Sequence, residues 1–250
     1  MNRRRFLKTC FHSLLAAGCV QTWNILETSA AFRKIPVLLY HRIGYTAGPL
    51  TIVPERLEAD LRLLRDFGYH TLTLEQFQSY VFNRTGDLPD NPLLITFDDG
   101  YLDNYQYAYP LLKKYGMTGT FFIITGLLWE QDRLRPEHIV EMAQAGMSFG
   151  SHTVSHRQLG QLSGADVQDE LNSSRSTMES VLAKPVQLLA YPQGSYNAQT
   201  IQAARENGYI GAFTTAYGTC SRSADFFELK RIPVFNYDGN VLAVLARYAY

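Results

Sequence analysis

Residues 93–100 read LLITFDDG, and the organisation of the chain follows from this stretch. Apolar and β-branched residues lead into two adjacent carboxylates, Asp98 and Asp99, and then into Gly100. A short apolar run that ends at turn residues is typical of a buried strand in an α/β protein. Functional side chains of such folds gather at the carboxyl ends of the strands, which is where both aspartates lie. Taken alone, the pair also fits a solvated turn or a helix cap.

A second stretch, GSHTVSH at residues 150–156, carries two histidines four positions apart. If His152 and His156 share one helical turn, both rings lie on one face and can bind one metal ion. Two imidazoles and one carboxylate leave coordination positions open, as in catalytic metal sites. Zn²⁺ is the default ion for such a nitrogen-rich set, and Co²⁺, Ni²⁺ or Fe²⁺ are also compatible with it. The two stretches together predict a divalent metal site.

Strand-like and helix-like patterns alternate along the rest of the chain. Strands are predicted at residues 35–41, 71–73, 93–97, 119–124, 186–190, 209–214 and 227–235, with a further apolar segment at 147–149. Helices are predicted at residues 55–67, 74–82, 103–115, 136–145, 166–182, 197–206 and 239–250. This alternation implies parallel strands joined by right-handed crossovers. Seven or eight such units fit a (β/α) barrel, and a doubly wound open sheet fits the pattern as well.

A third stretch, AYPQGSYN at residues 190–197, completes an ordered set of motifs. TFDDG, HTxxH and this stretch resemble the first three motifs of the polysaccharide deacetylases, carbohydrate esterase family 4, also called the NodB-homology domain. The resemblance covers residues 35–235. It implies an α/β fold, a distorted (β/α) barrel with seven or eight parallel strands, in agreement with the alternation.

The resemblance also implies a role for each motif residue. Asp99, His152 and His156 are expected to hold the metal, and Asp98 is expected to be the general base. The backbone N–H of Tyr191, in the third motif, is expected to stabilise the oxyanion of the tetrahedral intermediate.

The chain departs from the family pattern in the group that protonates the leaving amine. Many members use a histidine in a Leu-x-His motif near the C-terminus, whereas no histidine follows Arg231 here. The arginine usual before the third motif is replaced by Leu189-Ala190, and the Asp-Trp of the fourth motif is missing. Tyr40-His41 instead resembles the branch that contains the biofilm poly-N-acetylglucosamine deacetylases. We therefore predict that His41, at the end of the first strand, is the general acid.

The resemblance implies a metal-dependent hydrolase that removes N-acetyl groups from an N-acetylglucosamine-containing polysaccharide. An O-acetyl esterase, a small-amide hydrolase and a catalytically inactive glycan-binding protein are the alternatives. Three tyrosines next to the motifs, Tyr101, Tyr105 and Tyr196, are candidate platforms for a sugar ring. Basic and acidic residues balance at 23 each, which gives no indication of a nucleic-acid partner.

The first thirty residues predict an export signal, followed by the deacetylase domain at residues 31–250. RRRFLK at residues 3–8 resembles a twin-arginine motif, and an ordinary secretory leader is the alternative. The apolar run at residues 14–20 is too short to span a bilayer, so we expect no membrane span. The expected location is periplasmic or extracellular.

Two cleavage sites compete in this leader. Cleavage after Ala30 would release a soluble protein, whereas cleavage before Cys19 would leave a lipid anchor. With Cys10 and Cys19 in the leader, Cys220 is left without a partner after cleavage at Ala30, and we expect no intrachain disulfide.

Overall fold

Seven parallel strands close into a barrel in a computed structural model that describes residues 33–222 and 224–248. The strands are β1 (Ile35–Tyr40), β2 (Arg42–Ile43), β3 (Thr51–Ile52), β4 (His70–Thr71), β5 (Pro92–Phe97), β6 (Thr120–Ile123), β7 (Ser148–Ser151), β8 (Leu188–Ala190), β9 (Gly211–Tyr217), β10 (Thr219–Cys220) and β11 (Leu229–Pro233). The predicted export signal at residues 1–30, with both cleavage sites, lies outside the described residues.

The barrel runs in the order β1, β5, β6, β7, β8, β9 and β11, and β11 pairs again with β1. Leu38 of β1 shows that the barrel is closed, because it is in register with Ile95 of β5 on one side and with Ile232 of β11 on the other. Every one of these pairings is parallel. The predicted distorted (β/α) barrel is therefore confirmed with seven strands, and the open sheet is excluded.

Four short strands lie outside the barrel. β4 extends the sheet beside β5, β10 pairs antiparallel with β1, and β2 pairs with β3. Only β4 corresponds to a predicted strand, at residues 71–73. The other three have two residues each, too few for a hydrophobic period to appear in the sequence.

Seven α-helices of the described residues cover the barrel. They are α1 (Pro54–Asp66), α2 (Leu74–Val81), α3 (Tyr109–Lys114), α4 (Pro136–Gln144), α5 (Gly164–Leu182), α6 (Ala198–Glu206) and α7 (Val241–Tyr248). The helix predicted at residues 103–115 is divided, with a π-helical turn at Asn104–Ala108 and Pro110 in the first turn of α3. Within the described ranges, no helix combines the length and the apolar character that crossing a bilayer requires.

The strand side chains alternate between two apolar layers, as the period of two demands. Leu38, Ile95 and Ile232 belong to the cluster that also contains residues of α1 and α7, so they face the helices. Val37 and Leu94 belong to a second cluster on the other side of the sheet. Polar residues that share the inner face, such as Thr96 and Arg231, are therefore enclosed by the barrel.

Candidate active site

The predicted site residues lie at the carboxyl end of the barrel. His41 follows β1, Asp98 and Asp99 follow β5, His152 follows β7, and Tyr191 follows β8. Because parallel strands bring their carboxyl ends to one rim, residues far apart in sequence meet there. The structure brings Asp98, Asp99 and His152 into direct proximity.

Asp98 is buried and forms a bidentate ion pair with Arg231. Nη1 of Arg231 lies 2.8 Å from Oδ1 of Asp98, and Nη2 lies 2.7 Å from Oδ2. Burial alone would raise the pKa of Asp98, but the charges of Arg231 and His152 outweigh it and lower the pKa. Asp98 is therefore ionised at neutral pH, and its position is fixed by two charge-assisted hydrogen bonds.

Asp99 points a free oxygen toward both histidines. Its backbone is left-handed, with φ of 73°, and the following Gly100 has φ of 65°. Oδ1 of Asp99 is buried, lies 3.4 Å from Nε2 of both His152 and His156, and receives no well-formed hydrogen bond within the described ranges. Nη1 of Arg133 donates to the Asp99 carbonyl oxygen at 3.1 Å, which holds the turn from outside.

Each histidine presents Nε2 to this oxygen. His152 is buried, and its Nδ1 lies 2.7 Å from the carbonyl oxygen of Ala190. Because a carbonyl oxygen only accepts, Nδ1 carries the proton and the neutral ring leaves a lone pair on Nε2. Burial lowers the pKa of His152, but the carboxylates of Asp98 and Asp99 outweigh it and raise the pKa. In His156, by contrast, burial lowers the pKa.

The expectation that the two histidines share a helical turn is wrong. Residues 152–156 form an irregular loop in which Thr153 and His156 have left-handed backbones, with φ of 67° and 60°. A buried β-branched residue with positive φ is strained and persists only where its surroundings hold it. Glu170 of α5 supplies that support, because its Oε2 accepts from the backbone N–H groups of Val154 and Ser155 at 2.8 and 2.9 Å.

The donor set fits a divalent metal ion. One atom each from Asp99, His152 and His156 lie within 4.8 Å of one another. An unsatisfied buried carboxylate oxygen and two imidazole nitrogens converge on one point, which is the ligand set of catalytic zinc and related sites.

Comparison with known proteins assigns the family. The polysaccharide deacetylase profile matches residues 85–212. Bacillus subtilis YxkH, which is named for this family, is 38% identical over 80% of this chain and 71% of its own length. The chain belongs to the polysaccharide deacetylase family. It is thus a hydrolase of the enzyme class that cleaves the amide bond of acetylated sugars, and the family expectation is confirmed.

Two further relatives refine the comparison of this deacetylase. The Streptococcus pyogenes deacetylase PplD, solved in complex with acetate, has a TM-score of 0.78 and 32% identity, covering 82% of this chain and 94% of that chain. The poly-beta-1,6-N-acetyl-D-glucosamine N-deacetylase of Staphylococcus aureus is 26% identical over 73% of this chain and 67% of its own length.

His41 of the deacetylase lies on the same rim. Its carbonyl oxygen accepts from Nδ2 of Asn104 at 2.9 Å, which fixes the backbone after β1. Burial lowers the pKa of the His41 ring, and the negative charges of Asp98 and Asp99 only partly oppose this. The free ring is therefore mostly neutral at pH 7, and its role as an acid stays a prediction.

The expected role of the Tyr191 N–H is wrong in this structure. That N–H donates to the carbonyl oxygen of Phe213 at 3.0 Å, as a continuation of the ladder between β8 and β9. Pro192 has no N–H, and the next one along the loop, that of Gln193, meets no acceptor in the described part of the chain. Gln193 is left-handed, with φ of 55°. The open donor of the third motif is thus Gln193.

Two of the three tyrosines predicted as sugar platforms already pack against two neighbouring side chains each. Guanidinium groups of Arg42 and Arg133 each lie 4.1 Å from the ring centre of Tyr101. Tyr105 stacks with Tyr109 at 5.8 Å and with His138 at 4.4 Å.

Tyr196, the third of these tyrosines, stacks on Tyr191 with ring centres 4.8 Å apart. That stack covers one ring face, and its hydroxyl hydrogen donates to Glu228 at 3.1 Å. The role of Tyr196 as a sugar platform, like that of Tyr101 and Tyr105, stays a prediction.

Arg231 is the main site residue that sequence analysis missed. It lies on the predicted last strand, one residue before the buried Ile232, and is itself fully buried. The same strand carries the exposed Lys230 next to it, so the sequence does not show that Arg231 is the buried cation that needs a partner.

Proposed function

We propose that this deacetylase is metal-dependent and removes N-acetyl groups from N-acetylglucosamine polymers outside the cytoplasm. The observation that carries the proposal is the convergence of Asp99, His152 and His156 beside the ionised Asp98. Oδ2 of Asp98 lies 3.9 Å from Nε2 of His152, so a base stands next to the proposed ligands without being one of them. This is the arrangement that hydrolysis by activated water needs.

Asp99, His152 and His156 would hold the ion, which when bound polarises a carbonyl oxygen and lowers the pKa of water. Asp98 accepts the proton of the attacking water. Its bidentate pair with Arg231 keeps the carboxylate ionised and oriented toward the site. A base held in this way loses little free energy to reorganisation during the reaction.

Two further groups complete the mechanism. The N–H of Gln193 donates to the oxyanion that develops on the amide carbonyl. His41 protonates the leaving amine; since its pKa is lowered in the free enzyme, it must first gain the proton that Asp98 has removed from water.

The substrate class follows from the relatives. The S. aureus relative is named as a deacetylase of poly-beta-1,6-N-acetyl-D-glucosamine, and PplD binds acetate, the product of deacetylation. A polymer of this kind lies outside the cell, which agrees with the leader predicted at residues 1–30.

Acetate release tests the proposal. Protein beginning at residue 33 is incubated with β-1,6- and β-1,4-linked N-acetylglucosamine oligomers, with added Zn²⁺ or with chelator. We expect release that chelator abolishes, that Zn²⁺ restores and that Asp98→Asn reduces by about 100-fold or more. Asp169→Asn, an exposed aspartate of α5, is the control and should behave as wild type.

Other results would redirect the assignment. Release from O-acetylated xylan or small amides, with none from the oligomers, would make the protein an esterase or a small-amide hydrolase. If the protein binds the oligomers but releases no acetate with any added divalent metal ion, it would be a glycan-binding protein.

A further inference from the structure

A cleft of about 670 Å³ opens beside the active site. Its walls include Arg42, Tyr45, Asp103, Tyr107, Glu130 and Asp132. A volume of this size is in the range of small-molecule sites and is large enough for a sugar ring.

Tyr101 and two arginines connect this cleft with the proposed metal site. Tyr101 lies two residues after Asp99, and the guanidinium groups of Arg42 and Arg133 both contact its ring. Arg42 follows His41 directly and lines the cleft, while Arg133 donates to the Asp99 carbonyl oxygen. The cleft is thus connected to the proposed metal site through residues next to His41 and Asp99, on the side where a polymer could extend.

Tyr45 offers an aromatic face in this cleft. Its residue is 65% exposed, which is unusual for a ring that is held in place. The hydroxyl hydrogen donates to Oε1 of Glu55 at 2.6 Å, and the ring meets Tyr107 edge-on with centres 6.0 Å apart. A fixed, exposed ring loses little entropy on binding and presents its electron-rich face to the C–H groups of a pyranose.

The charge of the cleft selects among sugars. Its lining carries three carboxylates, those of Asp103, Glu130 and Asp132, against the guanidinium of Arg42, and the neighbouring Arg133 also pairs with Asp132 at 3.4 Å. Arg42 pairs with Asp103 at 2.9 Å and with Asp132 at 2.8 Å, whereas the carboxylate of Glu130 has no partner among the described residues. The cleft thus favours neutral or ammonium-bearing sugars over uronic acids.

We propose that this cleft is the subsite for the sugar adjoining the one that is deacetylated, with Tyr45 as its stacking platform. The subsite takes an N-acetylglucosamine or glucosamine unit of the polymer. This inference rests on the proposed function, and it adds a preference for oligomers over monomers.

Steady-state kinetics on N-acetylglucosamine and on its pentamer test the subsite. We expect Tyr45→Ala to raise KM for the pentamer about tenfold and to leave kcat/KM for the monomer unchanged, because only the pentamer reaches the cleft. Tyr45→Phe keeps the ring and should stay close to wild type. Phe67→Ala is the control, since Phe67 is 61% exposed after α1, far from the strand ends that carry the site.

Binding to the Asp98→Asn protein separates the two proposals. Trp129 is the only tryptophan after residue 30, so its fluorescence and calorimetry both report pentamer binding without turnover. Equal pentamer KM in Tyr45→Ala and Phe67→Ala would overturn the subsite while the deacetylase stands. Pentamer binding that Tyr45→Ala weakens, without turnover by wild type, would keep the subsite and overturn the proposed function. Neither binding nor turnover would overturn both.

Discussion

Arg231 and Asp98 form a bidentate ion pair across two strands that do not touch, since β1 lies between β5 and β11 in the barrel. Both side chains are buried, so the pair is shielded from solvent and salt. Breaking such a pair by removing one partner leaves a charge in a medium of low dielectric constant, which is strongly unfavourable.

Arg231→Met is expected to lower the free energy of unfolding by about 3–5 kcal/mol at pH 7. The pKa of Asp98 is lowered in the folded protein, so the pair stabilises the fold above the unfolded-state value of about 4, and this contribution is lost as the pH falls. The difference between wild type and Arg231→Met should therefore narrow on acidification. Urea unfolding of metal-free protein between pH 3 and 7 measures it.

Arg231→Lys is the matched variant for this experiment. It keeps the positive charge and loses the bidentate geometry, so its free energy of unfolding should lie between those of wild type and Arg231→Met. A Met variant as stable as wild type at pH 7 would contradict the prediction.

Loss of either histidine should weaken metal binding. His152→Ala and His156→Ala are each expected to reduce Zn²⁺ affinity by about 100-fold or more, because each removes one of three protein ligands. Competition with a chromogenic chelator gives the affinity. His70→Ala, which removes an exposed histidine at β4, is the control and should bind Zn²⁺ as wild type does.

Arg133 is expected to position the proposed metal ligand Asp99 without touching the ion. Arg133→Met removes the hydrogen bond to the Asp99 carbonyl oxygen and frees a left-handed turn, so we expect Zn²⁺ affinity to fall by about 10- to 100-fold. Arg135→Met, at an exposed position two residues on, should leave the affinity unchanged. Equal Zn²⁺ affinities of Arg133→Met and Arg135→Met would show that the turn at Asp99 is stable without the Arg133 hydrogen bond.

Gly194 should be intolerant of any side chain. A Cβ there would lie 2.1 Å from Oγ1 of Thr215, and φ is 68°, so Gly194→Ala must shift the loop that carries the Gln193 N–H. A displacement of about 1 Å costs about 100-fold in kcat when it moves a group aimed at the transition state. Acetate release measures this loss, with Gly164→Ala as the control because nothing lies within 4 Å of a Cβ there. Full activity in Gly194→Ala would exclude this loop from the oxyanion site.

The barrel could be predicted because each of its elements can be recognised from a short stretch of sequence. Each strand and helix has its own hydrophobic period, and alternation alone limits the topology to a few parallel arrangements. The proposed metal ligands were also within reach, since Asp99, His152 and His156 follow predicted strands whose carboxyl ends must meet.

The missed features depend on contacts between distant residues. The partner of Asp98, Arg231, is 133 positions away on β11. The local sequence pattern of neither strand indicates that these two residues form a pair. The Tyr191 N–H looked free because the extension of the ladder to Phe213 is a property of the folded sheet. The irregular loop after His152 depends on Glu170. The sequence places Glu170 on a helix, but it does not show that the Glu170 carboxylate binds the backbone of that loop.

The closure of the barrel has a consequence for synthesis. β1 is made first, yet its pairing with β11 must wait until residues near 233 have left the ribosome. Arg231 lies on β11. A chain that ends before β11 would therefore have an open barrel edge and an Asp98 carboxylate without its cationic partner. Catalytic competence and completion of the fold therefore arrive together, and a nascent or truncated chain stays inactive until its last barrel strand is in place.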